Sequence, residues 1–255
     1  PGIVLSAFYP QTVEGTIFYV PFSGAHTQWL IFIKSCIVQA SWVFSFFALK
    51  HLPISIVSPI RSTGPMWTLV GAIFILGETL TPLQWTGVLL IVACLYAYSL
   101  AGKKEGIVFK SNIWVLFIFI GTALGSLSAL YDKYLLATLG INKMEVQAWF
   151  SVYQCMLMIP TVLLLWFPYR HKTDAFQWRW TIPLIGVFLV LADFFYFYAL
   201  SLPGALVSVI SLIRRSGVII SFLSGVIIFK EQNLRFKGFI LAGVLVGVYV
   251  LYLAR

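Results

Sequence analysis

The feature that most constrains this chain is a succession of eight apolar runs, most of them close to the length that a helix needs to cross a bilayer, about 20 residues. The runs cover 28–49, 54–77, 83–101, 112–137, 146–168, 180–201, 204–229 and 234–253. In hydrocarbon every backbone N–H and C=O must find its partner within the protein, which excludes open strands and makes each run a predicted helix. The sequence therefore predicts an all-α polytopic membrane protein.

Composition excludes several other classes of protein. Hydrophobic residues make up 60% of the chain and charged residues 10%, whereas soluble domains have about 45–50% and 25%. A soluble enzyme, a disordered chain and a disulfide scaffold are therefore excluded. The net charge of +9 is explained by basic loops between spans, so no nucleic-acid partner is predicted. The three Cys lie in apolar runs and the three His in loops, without metal-ligand spacing. We predict no metal and no cofactor.

Two stretches of the chain repeat one another. Ile60-Arg61-Ser62-Thr63-Gly64 is matched by Ile213-Arg214-Arg215-Ser216-Gly217, and a glutamate follows each arginine after 17 residues, at Glu78 and Glu231. Each block also follows an aromatic-Ala-Leu triplet and a proline. We interpret the halves as copies of one unit, separated by the hydrophilic stretch 102–111. The predicted domains are 1–102 and 111–255.

The first copy is shorter than the second. If the second begins at Ser111, Arg214 is its residue 104, whereas Arg61 is residue 61 of the first copy, a difference of 43 residues. We therefore expect the first helix and most of the second helix of the complete protein to be absent from this chain. The complete protein would have ten helices in two five-helix repeats, inverted because each repeat has an odd number of spans.

The end of the second predicted run and the start of the third carry a family resemblance. The first copy contains Gly77-Glu78-Thr79-Leu80-Thr81-Pro82-Leu83-Gln84-Trp85-Thr86-Gly87, and the second copy has a weaker version at 229–238. These motifs resemble the EamA family of the drug/metabolite transporter superfamily, and Ser128-Ala129-Leu130-Tyr131-Asp132-Lys133-Tyr134-Leu135 resembles a bacterial subgroup of it. The resemblance implies ten helices, a central cavity and secondary transport by alternating access. It implies no particular substrate.

Ionisable residues inside the spans are the candidate site residues. Each costs about 3 kcal/mol on insertion scales, so each needs a reason. Seven occur, five of them basic: Lys34, Arg61, Asp132, Lys133, Asp193, Arg214 and Arg215. The basic excess favours an anionic or zwitterionic solute.

Arg61 and Arg214 occupy equivalent places in the two copies. One interpretation is a pair of guanidinium groups that clamps an anionic group of the substrate. The other is that each joins two helices through carbonyl groups or an aspartate. Arg215 lies about 100° around the helix from Arg214, and for it an ion pair, with Asp193 as a candidate partner, is favoured.

Lys34, Gln39 and Trp42 lie in the first run, where Ser35, Gln39 and Trp42 share a face. This polar face predicts the lining of a substrate cavity. The alternative for Lys34 is a side chain that snorkels to the membrane interface. Tyr153 is left open between a substrate-stacking residue and an interface anchor.

Asp132 and Asp193 are the two acidic candidates. Either could carry a coupling proton or form a static ion pair, and Lys34 is one candidate partner for Asp132. The glycines of Gly121-x-x-x-Gly125 are predicted to allow close helix packing. Glu78 and Glu231 are predicted to be structural, because each precedes a helix start where a carboxylate meets free N–H groups.

The predicted function is a secondary transporter that moves a small anionic or zwitterionic metabolite by alternating access. The alternatives are a transporter or flippase of a lipid-linked or amphipathic solute, and a non-transporting membrane subunit. No intramembrane enzyme motif occurs, so the chain is predicted not to be an enzyme. The expected partners are the solute, the bilayer and a coupling ion such as the proton, and the expected location is a bacterial inner membrane, as monomer or homodimer. Basic loops place the C-terminus outside, whereas the family resemblance implies that it is inside, so the orientation stays open.

Overall fold

The structure is a computed structural model of the chain. It describes residues 24–52, 63–101, 113–165, 178–215 and 234–253, together with positions 6, 8, 9, 11, 14, 16, 19–21, 57, 60, 61, 167 and 168. Eight α-helices have both ends within this part of the chain: α1 (Ala25–His51), α2 (Gly64–Leu76), α3 (Pro82–Ala101), α4 (Ile113–Lys133), α5 (Lys143–Leu165), α6 (Thr181–Leu200), α7 (Val207–Arg215) and α8 (Leu234–Leu253). A π-helical turn, Tyr134–Thr138, continues α4.

These helices follow the predicted apolar runs, and four of them are long and apolar enough to cross a membrane. The four spans are Ala25–His51, Ile113–Thr138, Lys143–Leu165 and Thr181–Leu200. The predicted all-helical membrane fold is confirmed. The run 204–229 is described only to Arg215, and both Glu231 and the stretch 102–111 lie outside the described residues.

The connection between α2 and α3 shows why the family motif has its composition. Gly77 ends α2 with φ of 65°, a left-handed conformation that favours glycine. The Thr81 hydroxyl then accepts from the backbone N–H of Gln84 at 3.2 Å, and the side-chain oxygen Oε1 of Gln84 accepts from the backbone N–H of Thr81 at 2.9 Å. This reciprocal capping box, with Pro82 as the first helical residue, fixes the start of α3.

Two compact units make up the chain. Unit 1 contains Pro1–Gln39 and Tyr131–Ala205, and unit 2 contains Ala40–Leu130 and Leu206–Arg255. Each unit combines helices from both predicted copies, so the units differ from the predicted domains 1–102 and 111–255. The equivalence of the copies concerns sequence and stays a prediction.

Within unit 2, α3 and α8 pack closely along a seam of small residues. A Cβ added to Gly247 would lie 2.5 Å from Ile91 Cγ1 and 3.2 Å from the Gly87 carbonyl oxygen. Likewise, a Cβ on Gly87 would lie 2.9 Å from Leu251 Cγ. Since lipid gives these apolar helices no hydrophobic reason to associate, close packing through glycine is what holds the pair.

We therefore expect Gly247→Ala to lower the free energy of unfolding by about 1–3 kcal/mol, because the added methyl group overpacks the seam. The matched control is Gly186→Ala in α6, where the new Cβ meets nothing within 4 Å. There the better helix propensity of alanine predicts a gain of about 0.5–1 kcal/mol. Unfolding in detergent micelles measures both changes, and equal effects of the two variants would contradict the seam.

The second close approach within unit 2 joins α4 to the residues of α1 that follow Gln39. The Ser41 hydroxyl donates to the Gly121 carbonyl at 2.7 Å, and a Cβ on Gly121 would lie 2.6 Å from Ser45 Oγ. This is the packing predicted for Gly121.

Glu78 is buried in unit 2 and caps a helix that lies far away in sequence. Its Oε1 accepts from the Val207 amide N–H at 2.7 Å, and its Oε2 accepts from the Ser208 hydroxyl at 2.6 Å. These residues begin α7, where a negative charge favours the free N–H groups. The structural role predicted for Glu78 is confirmed, but the helix is α7 rather than the following α3, whose start Thr81 and Gln84 already satisfy.

Candidate functional site

Unit 1 holds a buried ion pair between two membrane spans. Lys34 Nζ of α1 lies 3.1 Å from Asp132 Oδ1 at the end of α4, and the side chains are 2% and 7% exposed. The contact is an ion pair without hydrogen-bond geometry. It excludes the snorkelling alternative for Lys34, and it is one of the pairings considered for Asp132.

Two aromatic rings enclose the ammonium group of Lys34. Its Nζ lies 3.7 Å from the centre of the Phe150 ring in α5 and 4.2 Å from that of Phe197 in α6. Aromatic faces attract cations, most strongly where water is excluded. Four helical segments of unit 1 therefore meet at this lysine, whose ammonium group contacts one carboxylate and two aromatic rings.

A second polar cluster lies nearer the start of α1. Gln28 Nε2 donates to Glu145 Oε1 at 3.0 Å, and the Tyr153 hydroxyl donates to Gln28 Oε1 at 2.9 Å. Glu145 is fully buried. The Tyr153 ring meets Phe32 edge to face. Tyr153 is thus fixed within the protein by its ring and its hydroxyl, whichever of its two predicted roles applies.

A third polar cluster lies farther along the same helices. Gln154 Nε2 donates to Gln39 Oε1, and Gln39 Nε2 donates to Thr161 Oγ1 at 2.8 Å. The Thr161 hydroxyl in turn donates to the Leu157 carbonyl at 2.8 Å. Gln39, predicted to line a cavity, is therefore buried in an amide relay between α1 and α5.

The three clusters follow one another along α1 and form a polar track, in which Lys34 lies about 120–140° around the helix from Gln28 and Gln39. Gln28, Lys34 and Gln39 span eleven residues, or about 16 Å at 1.5 Å per residue. Buried polar groups in a span need partners, and such groups mark the routes that solutes and ions follow. A carboxylate acceptor, an ammonium donor and aromatic walls together can recognise a small molecule that carries both charges.

The remaining predicted site residues lie elsewhere. Arg61 and Arg214 are exposed in unit 2, and Trp42 there is 42% exposed. The helix that carries Arg214, α7, begins beside Glu78 and packs against α2. Asp193 is half-buried in α6 of unit 1. The side chain of Arg215 lies outside the described part of the chain.

Sequence reasoning missed several residues of the track. Glu145 and Gln28 stand at the borders of their predicted runs, where polar residues need no explanation. Thr161 follows Gln154 by seven residues and so shares its face of α5, a signal that was available for Thr161. Nothing in the sequence distinguishes Phe150 and Phe197 as site residues among the 22 phenylalanines of the chain. Within the described residues no three metal-ligating side chains come together.

Comparison with known proteins supports the family resemblance. Residues 3–100 match the model of the EamA-like transporter family, which confirms the predicted family. No curated protein sequence matches the chain. Among 25 matching chains of solved structures, one described only as a crystal structure of a protein has a TM-score of 0.71 and 16% identity, covering 99% of this chain and 82% of that chain. At this identity the likeness concerns the fold alone. The match over residues 3–100 and the four helices that are long and apolar enough to cross a membrane support a multi-pass integral membrane protein.

Proposed function

We propose that this chain, whose residues 3–100 match the model of the EamA-like transporter family, is a secondary transporter of a small organic solute bearing a carboxylate, as an anion or a zwitterion. Transport proceeds by alternating access through a central cavity. The motif at 128–135 supports a location in a bacterial inner membrane. The observation that carries the proposal is the buried Lys34–Asp132 pair between Phe150 and Phe197.

The chemistry of this pair favours a zwitterion. A carboxylate of the solute competes with Asp132 for the Lys34 ammonium, while an ammonium of the solute takes the place of Lys34 beside Asp132. Exchanging one ion pair for two charge-assisted contacts keeps every charge in the span compensated. A cation without a carboxylate would leave Lys34 facing added positive charge.

Arg61 and Arg214 are a second candidate binding site for the same solute. Their equivalent positions in the two copies and their exposed side chains support the arginine clamp. The two sites are compatible with successive stages of one transport cycle. Uptake by variants of each site distinguishes their contributions to transport.

The test is uptake by the full-length protein in liposomes. The panel contains L-methionine and L-glutamine as zwitterions, succinate as an anion and choline as a cation. We expect the wild-type protein to take up zwitterions or anions in preference to choline. Combining Lys34→Met with Asp132→Leu should lower this uptake at least about tenfold, because each lost charge-assisted contact is worth about 1.5–3 kcal/mol. Lys50→Met at the exposed end of α1 is the control.

Arg61→Ala and Arg214→Ala extend the same experiment. Loss of flux in these variants but not in the double variant would move the binding site to the arginines. Uptake of choline that is indifferent to all of these changes would overturn the proposal of an anionic or zwitterionic solute.

A further inference from the structure

Gln154 retains an unused acceptor inside unit 1. The residue is 8% exposed, and among the residues that the structure describes none donates a hydrogen bond to its Oε1. Buried polar groups in folded proteins are nearly always paired, because an unpaired acceptor costs free energy. An unpaired group at a candidate solute site therefore calls for an explanation.

The hydrogen-bond relay fixes which end of the Gln154 amide is unused. The Thr161 hydroxyl donates to the Leu157 carbonyl, so its oxygen is the acceptor for Gln39 Nε2. The side-chain oxygen of Gln39 is therefore the acceptor toward Gln154, so Gln154 must donate from its NH2 group. The oxygen of Gln154 is left over, and only a hydrogen-bond donor can satisfy it.

The free oxygen belongs to a residue close to the ion pair along the helices. Gln154 follows Phe150 by four residues on α5, and Gln39 follows Lys34 by five residues on α1. One turn of helix, about 6–8 Å, therefore separates the amide pair from the charged pair along the axis. A small metabolite with a charged head and a side chain of a few atoms matches this separation.

We propose that Gln154 Oε1 binds a hydrogen-bond donor at the distal end of the transported solute, so that the substrate is a zwitterion or anion with an N–H or O–H group on its side chain. This inference rests on the proposed function and names a substrate class for the same site. Lys34 and Asp132 bind the charged head of the solute, and Gln154 distinguishes side chains by their donors.

Two amino acids of equal side-chain length test the inference, since L-glutamine ends in a donor and L-methionine does not. In liposomes we expect the wild-type protein to prefer glutamine about tenfold in kcat/KM. Gln154→Met, which keeps the side-chain length, should abolish that preference. Gln147→Met is the matched control, because it makes the same change at a buried glutamine of α5 whose Nε2 donates to the Val190 carbonyl at 2.8 Å and leaves the relay intact, and it should retain the preference.

Each result decides a separate question. A glutamine-to-methionine ratio unchanged in Gln154→Met, or lost equally in Gln147→Met, overturns the inference, because Gln154 then binds water or merely packs. Uptake that depends on Lys34 but accepts only solutes without a distal donor overturns this inference and leaves the proposed function standing. Uptake of neither amino acid nor of succinate overturns both.

Discussion

Lys34→Met should lower the free energy of unfolding by about 3–5 kcal/mol, the largest effect expected of any single substitution in the described residues. The change removes the Lys34 ammonium that lies 3.1 Å from Asp132 Oδ1, whose side chain is only 7% exposed. Loss of an ion pair inside a span costs far more than loss of a surface interaction. Asp132→Asn should be milder, because the Lys34 ammonium keeps both aromatic rings.

Combining Lys34→Met with Asp132→Leu should restore most of that stability. Removing both members of a buried ion pair leaves an apolar contact and no stranded charge, which is often neutral or stabilising. The two changes are therefore expected to be strongly non-additive, as a double-mutant cycle would show. The double variant should fold and yet fail to transport, which separates the pair's contribution to stability from its contribution to binding.

The measurement is unfolding of the detergent-solubilised protein, with Lys50→Met as the reference. Lys50 lies on the same helix with its side chain exposed, so its replacement should change the free energy by no more than about 0.5 kcal/mol. If Lys34→Met were as harmless as Lys50→Met, Asp132 would be solvated or otherwise paired, and the ion pair would not explain why Lys34 is tolerated in the span.

The positions of the helices were predictable because their signals are local. An apolar run of the right length must be helical in a membrane, and Thr81, Pro82 and Gln84 mark a helix start through contacts within four residues. Lys34 and Asp132 were also predictable as site candidates, since a charge in a span requires a reason. Their pairing was one of several alternatives, because sequence separation gives no distance between helices.

The composition of the site could not be predicted in the same way. Phe150 and Phe197 contribute to it only through their positions around Lys34 Nζ, and a phenylalanine in a span is ordinarily explained by packing. Glu145 stands one residue before the predicted run 146–168 and so is not among the ionisable residues predicted inside spans, whereas α5 begins at Lys143 and buries it. An error of a few residues at a helix border thus concealed a buried carboxylate.

Glu78→Ala should lower the free energy of unfolding by about 2–4 kcal/mol, the second largest effect. The carboxylate makes two short hydrogen bonds, to the Val207 amide at 2.7 Å and the Ser208 hydroxyl at 2.6 Å, and charged hydrogen bonds contribute about 1.5–3 kcal/mol each before other losses are counted. Alanine removes both hydrogen bonds and leaves the buried N–H groups at the start of α7 without this acceptor. Glu78→Gln keeps one acceptor oxygen without the charge and should lose roughly half as much.

The size and the location of the effect distinguish a helix cap from general packing. Ser208→Ala removes only one partner and should cost about 1–1.5 kcal/mol, whereas Glu14→Ala, at an exposed carboxylate, should stay within about 0.5 kcal/mol. Hydrogen exchange should accelerate first at Val207 and Ser208 in Glu78→Ala, since their donors lose the acceptor. A loss of stability spread evenly over the helices, or one equal to that of Glu14→Ala, would contradict the cap. The capping result would mean that a carboxylate of the first predicted copy fixes the start of a helix in the second, which gives the glutamate of the family motif a physical role independent of the solute.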